Sequence, residues 1–152
     1  MLETLTRELA PLVEAFDGVD LSDGKAAAAA IEARIPYASA TVTRIRDLAN
    51  EGYEAGWLTP NENGPLRFGR VAKDLDGYSV DAVCMDSTGP KHRHPKGEIS
   101  LCFVRDGEPR FDGHAAGWVV LPTDSTHVPT VRGGTMLILY FLPGGEVEWL
   151  RD

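Results

Sequence analysis

The hydrophobic period changes once along this chain, from three-and-four to two, and that change constrains the fold more than any other feature. At the start, Leu2, Leu5, Leu9, Leu12, Val13 and Phe16 recur at the spacing of one helix face. Pro11 falls inside the stripe and predicts a kink or two short helices. "KAAAAAIEARI", residues 25–35, consists of strong helix formers behind Ser22 and Asp23, either of which can cap it. A third stripe, Val42, Ile45, Leu48, Ala49 and Tyr53, closes at Gly56. "TPNENGP", residues 59–65, gathers turn formers and marks the boundary.

Beyond it come short runs rich in Val, Ile, Phe and Tyr: "LRFGRVAK", "YSVDAVCMD", "EISLCFVRDGEPRF", "GWVVLP", "TMLILYFLP" and "VEWL". "RDGEPRF" reads as a hairpin turning at Asp106-Gly107. Evenly spaced short strands predict a sandwich or barrel. The expected organisation is mainly β, a helical segment over 1–58 followed by a β-barrel over 65–152. "MLILYFL", 136–142, is apolar on both faces, so this strand is expected to be covered twice, by the barrel interior and by helices or a second subunit. Barrels of this size often dimerise, and a homodimer is expected.

The composition narrows the class. A length of 152 residues with 43% hydrophobic and 25% charged content suits one compact domain with a real core. The formal net charge of -8 repels phosphate backbones and anionic membranes, so neither nucleic acid nor a membrane surface is expected as a partner. A small anionic substrate stays possible, because one arginine can hold a carboxylate against an unfavourable average. No apolar run approaches the roughly 20 residues of a membrane-spanning helix. "MLETLTREL" lacks the basic and apolar regions of a signal peptide, and Cys84 and Cys102 read as reduced and buried, so the expected compartment is the cytoplasm.

The chemistry gathers around "KHRHPKGEI", 91–99. Strand alternation turns His92 and His94 to one face, and Glu98, Ser100, Cys102 and Val104 share that parity, with Ile99, Leu101 and Phe103 on the other. Imidazoles and a carboxylate converging on one point make a site for a divalent ion such as Zn, Mn, Fe or Ni. A further ligand must come from elsewhere, and His127 in "PTDSTHVP", expected on a neighbouring strand, is the natural candidate. Two histidines at alternate positions are common by chance, and on their own they are equally open to proton transfer or to no role at all.

Two resemblances bear on that choice. "HRHPKGE" resembles the first motif of the cupin superfamily, and "PTDSTH", 122–127, resembles the second, with Asp124 where glycine is usual. Gly107 lies later than the first motif's glycine, and Val131 stands where asparagine is frequent. Carried over position by position, the resemblance makes His92, His94, Glu98 and His127 the metal ligands. "AGWL", "FGRVAK", "HPKGEISLCF", "PRFDGHAAGWVVLP", "STHVPTV" and "GGTMLILYFLPGG" resemble, over nearly the whole chain, the 4-hydroxylaminobenzoate lyases of bacterial nitroaromatic degradation. That resemblance implies conversion of 4-hydroxylaminobenzoate and water to protocatechuate and ammonium.

Such a reaction needs a proton donor for the departing hydroxide and a base later, for which Glu98, His114 and Tyr140 are candidates. The substrate carboxylate calls for an arginine. Arg70 shares a strand face with Phe68, and Arg67 lies on the other face. Stacking on the ring is open to Phe68, Tyr78 or Trp118. The alternatives are a cupin enzyme of another reaction type, a dioxygenase or isomerase, and a ligand-sensing regulator. "IRDLANEGYEAGWL" faintly resembles a helix-turn-helix, but residues 1–60 carry five Lys or Arg against ten Asp or Glu, the wrong sign for reading DNA.

Overall fold

The stripe that opens the chain forms a single helix, α1 (Leu2–Phe16), in the computed structural model, which describes residues 1–151. Pro11 neither breaks it nor splits it in two. Proline removes the bond to the carbonyl four residues back. Here that carbonyl belongs to Arg7, and both Pro11 and Arg7 are exposed, so water can satisfy it. The buried stripe of Leu5, Leu9, Leu12, Val13 and Phe16 runs on undisturbed along the opposite side. Helix α2 (Gly24–Arg34) is capped by Asp23, whose side chain accepts from the Ala26 N–H. Helix α3 (Ala40–Ala55) is capped by Ser39 and ends at Gly56 in the left-handed region that C-caps favour. It lays Val42, Ile45 and Ala49 into the core as an ordinary packed helix.

Nine strands follow among the described residues: β1 (Asn61–Asn63), β2 (Leu66–Leu75), β3 (Tyr78–Met85), β4 (His92–His94), β5 (Glu98–Phe111), β6 (Gly117–Leu121), β7 (Ser125–His127), β8 (Val131–Pro143) and β9 (Glu148–Trp149). Strand β1 lies inside the turn-rich stretch that marks the boundary, and pairs with β2. The strands make a six-stranded sheet, β1-β2-β3-β8-β5-β6, and a three-stranded sheet, β7-β4-β9. The class is mainly β with helices first, as expected. The sheets remain two separate layers, jelly-roll-like, and do not close into one continuous barrel.

The hairpin expected at Asp106-Gly107 does not form. Strand β5 runs straight through it, paired with β8 on both sides, with register shifts between Val104 and Asp106 and between Gly107 and Arg110. Gly107 has φ +73° and serves a bulge, which bends a long strand without ending it. The facing Gly134 is needed for the close approach, since a Cβ there would lie 2.0 Å from the Asp106 carbonyl oxygen.

The large sheet is covered on both faces, as the apolar run in β8 requires. Ile99, Leu101 and Phe103 of β5, with Leu137, Leu139 and Phe141 of β8, pack against the three helices. Phe16 of α1 is the centre of that layer, meeting Tyr78, Trp118 and Phe141 edge-on at ring separations of 5.5, 5.7 and 5.1 Å. Burying one such ring contributes about 1.5–3 kcal/mol, and each edge-on pair about 0.5–1.5 more. The chain's own helices thus cover this face, and a second subunit is not needed there. The opposite face of the same strands carries Cys102, Met136 and Ile138. Cys84 and Cys102 are free and buried. No helix among the described residues is long and apolar enough to cross a membrane.

Candidate metal centre and cavity

Strand β4 is short, and its alternation turns His92 and His94 to one buried side. Arg93 between them points away to ion pairs with Asp124 and Glu148. Strand β7 runs antiparallel beside it, setting His127 opposite His92 and Ser125 opposite His94. Asp124, standing where the resembled motif has glycine, has φ +61°, a conformation aspartate tolerates better than most residues. Glu98 opens β5 on the inward face of the large sheet and faces the histidines across the gap between the sheets.

The ligand atoms of His92, His94 and His127 lie within 4.8 Å of one another. The Nε2 atoms of His92 and His127 are 3.1 Å apart. Glu98 Oε1 lies 3.7 Å from His92 Nε2 and 3.6 Å from His94 Nε2. Each Nδ1 is engaged on the far side: His92 Nδ1 donates to the Pro90 carbonyl at 3.0 Å, His94 Nδ1 meets Ser125 Oγ at 3.0 Å, and His127 Nδ1 donates to Asp112. A carbonyl and a carboxylate only accept, so the neutral form of either the His92 or the His127 ring carries hydrogen on Nδ1 and leaves Nε2 bare. His94 Nε2 is buried with no hydrogen-bond partner among the described residues.

These features fit a divalent ion. Two nitrogens each about 2.1 Å from one ion at tetrahedral or octahedral angles stand about 3.0–3.4 Å apart, which brackets the separation seen. A shared cation also removes the opposition of two bare lone pairs and gives the orphaned His94 nitrogen a partner. Hydrogen bonds to the outer ring nitrogen are the usual second layer of such a site. Burial, aided by the neighbouring His127 and His92, holds His94 down to about 4 against the pull of Glu98, so it is a neutral donor at ordinary pH. Burial pushes His92 down, but the hydrogen bonds its charged ring can donate to the Glu98 carboxylate and the Pro90 carbonyl outweigh it and leave it raised. Burial pushes Glu98 up, and the three imidazoles more than reverse that, so it is an anion.

His92 and Glu98 form one wall of a cavity of about 570 Å³, within the range typical of small-molecule sites. Leu66, Val83, Met85, Phe111 and Ile138 give it an apolar lining, with Phe68 and Trp149, both exposed, at its edge. A polar row in register runs across its floor, Arg70 of β2 opposite Asp81 of β3 and Asp81 opposite Tyr140 of β8, and continues beyond the cavity to Ser100 of β5 opposite Tyr140. Arg70 Nε donates to Asp81 Oδ1 at 2.7 Å, and Ser100 Oγ donates to Glu98 Oε2 at 2.9 Å. Burial pushes the Asp81 carboxyl up, with Arg70 opposing, and the net displacement is upward. Burial likewise pushes the Tyr140 phenol up, helped by Asp81 and Glu98.

The structure therefore brings His92, His94, Glu98 and His127 to one point, and Arg70, Phe68 and Tyr140 to the cavity beside it. Three candidates lie elsewhere. Trp118 sits opposite Leu101, whose face belongs to the helices, and its Nε1 donates to the Ile35 carbonyl at 3.0 Å. Tyr78 shares the parity of Val80 and Ala82 and packs on Phe16. Neither ring can stack on a ligand in this cavity. His114 is exposed in the turn between β5 and β6, bonded through its backbone to Phe111. Asp81, Asp112, Ser125 and Trp149 are participants that sequence reasoning missed. Asp81 alone carried a signal, a lone charge in the apolar run "YSVDAVCM".

A family model described as "PnbB: 4-hydroxylaminobenzoate lyase" matches residues 12–149. The chain belongs to this family. The match includes all four converging residues and every strand of both sheets. A 4-hydroxylaminobenzoate lyase of Nocardioides sp. (strain LMS-CY) is 30% identical over 119 residues, covering 70% of this chain and 70% of that protein. One of Pseudomonas putida is 29% identical over 132 residues, covering 73% and 75%. Among solved structures, an RmlC-like cupin protein from Ralstonia eutropha is 18% identical, covers 59% of this chain and 62% of its own, and has a TM-score of 0.45. Membership of the lyase family makes the protein an enzyme and sets the regulator reading aside.

Proposed function

We propose that the protein converts 4-hydroxylaminobenzoate and water to protocatechuate and ammonium, using a divalent ion held by His92, His94 and His127 with Glu98 beside them. The observation that carries this reading is the convergence of three imidazoles, one of which, His92, lines with Glu98 the wall of an apolar cavity that holds Arg70. When bound, the ion supplies Lewis acidity. The apolar walls receive the ring and exclude bulk water. Arg70 spends only its Nε on Asp81, which leaves both Nη groups for the substrate carboxylate. Phe68, on the same strand face and exposed at the cavity's edge, offers a surface to the ring.

The polar groups of the cavity take different parts. Glu98, held anionic by its imidazole neighbours, suits the base. Asp81 is ion-paired with Arg70, and burial displaces its carboxyl upward against that pairing. Tyr140 stays protonated between them and can donate a hydrogen bond to oxygen in the cavity. The names of both curated relatives support the substrate. Incubating metal-replete protein with 4-hydroxylaminobenzoate should yield protocatechuate and ammonium in equal amounts, under nitrogen as well as in air. Loss of activity on chelation, restored by one divalent ion, completes the expected result. Absence of both products from metal-replete protein overturns the assignment.

A further inference from the structure

We propose that Asp112 is a positioning residue that locks His127 in the one tautomer able to face the ion. This rests on the ion-binding reading above and adds a residue outside the ligand set. Asp112 ends the pairing of β5 in the left-handed region, at φ +47°, which few side chains occupy without cost. Thr130 pins it there from two directions. The Asp112 N–H donates to the Thr130 carbonyl at 2.8 Å, and the Thr130 N–H donates to Asp112 Oδ1 at 2.9 Å. With its backbone and one carboxylate oxygen fixed, Oδ2 is left to accept from His127 Nδ1. Hydrogen on Nδ1 means a bare Nε2, and that Nε2 is the atom turned toward His92 Nε2.

The other two rings lack such a lock of charge. A backbone carbonyl holds His92, and a hydroxyl, which can donate or accept, holds His94. The carboxylate is therefore the group whose chemical identity can be changed with the least disturbance of shape. Asparagine at 112 tolerates the left-handed backbone as aspartate does. It has one acceptor oxygen where aspartate has two. Keeping that oxygen on the Thr130 N–H turns the amide NH₂ toward His127 Nδ1, which then must accept. The ring's hydrogen moves to Nε2, and the lone pair meant for the ion is gone. The opposite orientation sets two donors, the amide and the Thr130 N–H, against each other and leaves a partly buried backbone group unpaired.

The test uses Asp112→Asn and the wild type, with Asp112→Ala as the variant that removes the carboxylate altogether. Histidine side-chain ¹⁵N shifts are recorded on the metal-free proteins at alkaline pH, where imidazoles are neutral. The expected result is hydrogen on Nδ1 of His127 in the wild type and on Nε2 in Asp112→Asn. Titration with Co²⁺, followed by its visible absorption, should show Asp112→Asn binding about 10- to 100-fold more weakly than wild type, the size seen when outer partners of a metal site are lost. Thermal unfolding of the two metal-free proteins should coincide, which a merely structural role would not give. Hydrogen on Nε2 of wild-type His127, or an unchanged tautomer together with unchanged cobalt affinity in Asp112→Asn, overturns the proposal. Should wild type fail to take up Co²⁺, the ion-binding reading falls, and the tautomer measurement alone still decides whether Asp112 is the lock. If Asp112→Ala does not fold, Asp112→Asn carries the comparison unaided.

Discussion

Replacing His94 by leucine should stabilise the protein in chelator and destabilise it in zinc. His94 is fully buried, its Nε2 has no hydrogen-bond partner, and its Nδ1 meets Ser125 Oγ at 3.0 Å. A buried polar atom left unpaired costs about 1–3 kcal/mol, and a neutral hydrogen bond contributes about 0.5–1.5. Leucine removes both and fills nearly the same space, so without metal the variant should be about 0–2 kcal/mol the more stable. With zinc at a hundred times its dissociation constant, the wild type gains about 2.7 kcal/mol by mass action. The variant, lacking one of three converging nitrogens, gains little of it, and the order of stabilities reverses. Equilibrium urea unfolding with chelator and with zinc measures both differences. A variant more than 2 kcal/mol less stable than wild type in chelator would refute the reasoning, since the orphaned nitrogen would then carry no cost. So would a wild type indifferent to zinc.

Arg70→Ala should raise KM for 4-hydroxylaminobenzoate about 10- to 100-fold with a smaller change in kcat, because hydrogen bonds to a charged group contribute about 1.5–3 kcal/mol, and steady-state rates decide it. The chelated protein should lose stability as pH falls below the ordinary histidine range. His94 is depressed to about 4, so the unfolded chain takes up its proton first; stability is full above about 6.5 and is lost on the way down to the folded value. The span is worth about 3 kcal/mol, and it should be missing from urea unfolding of His94→Leu over the same pH range.

Legibility in the sequence followed the period of the side chains. The alternation in β5 is unbroken from Glu98 to Val104, ahead of its first register shift, and so parity separated Glu98 and Ser100 from Ile99 and Leu101 correctly. The same rule, applied outward from Leu101 across the ladder, places Trp118 under the helices. Its aromatic character suggested a ligand contact, and pairing, which no single strand reveals, ruled it out. Asp106-Gly107 carries the chemistry of a turn, but β8 offers matching glycines opposite, and the pair resolves as a bulge. Pro11 reads as a break until the other side of its helix is seen to be buried. Asp112 was invisible for a different reason. Its partners, Thr130 and His127, come from 18 and 15 residues further along, joined only when β7 folds back over the end of β5.

The helical segment is more than an appendage to the site. A strand with chemistry on one face must bury the other, because slipping its register by one residue would exchange the two sets of side chains. In β5 that exchange would send Ile99 and Leu101 toward the histidines and Glu98 into the hydrocarbon around Phe16. The three helices oppose it with an apolar layer that accepts only the Ile99, Leu101 and Phe103 face, and β8 repeats the demand with Leu137, Leu139 and Phe141. The placement of Glu98, and through the ladder that of Tyr140, Asp81 and Arg70, is thus specified from the side of the sheet that carries none of the chemistry.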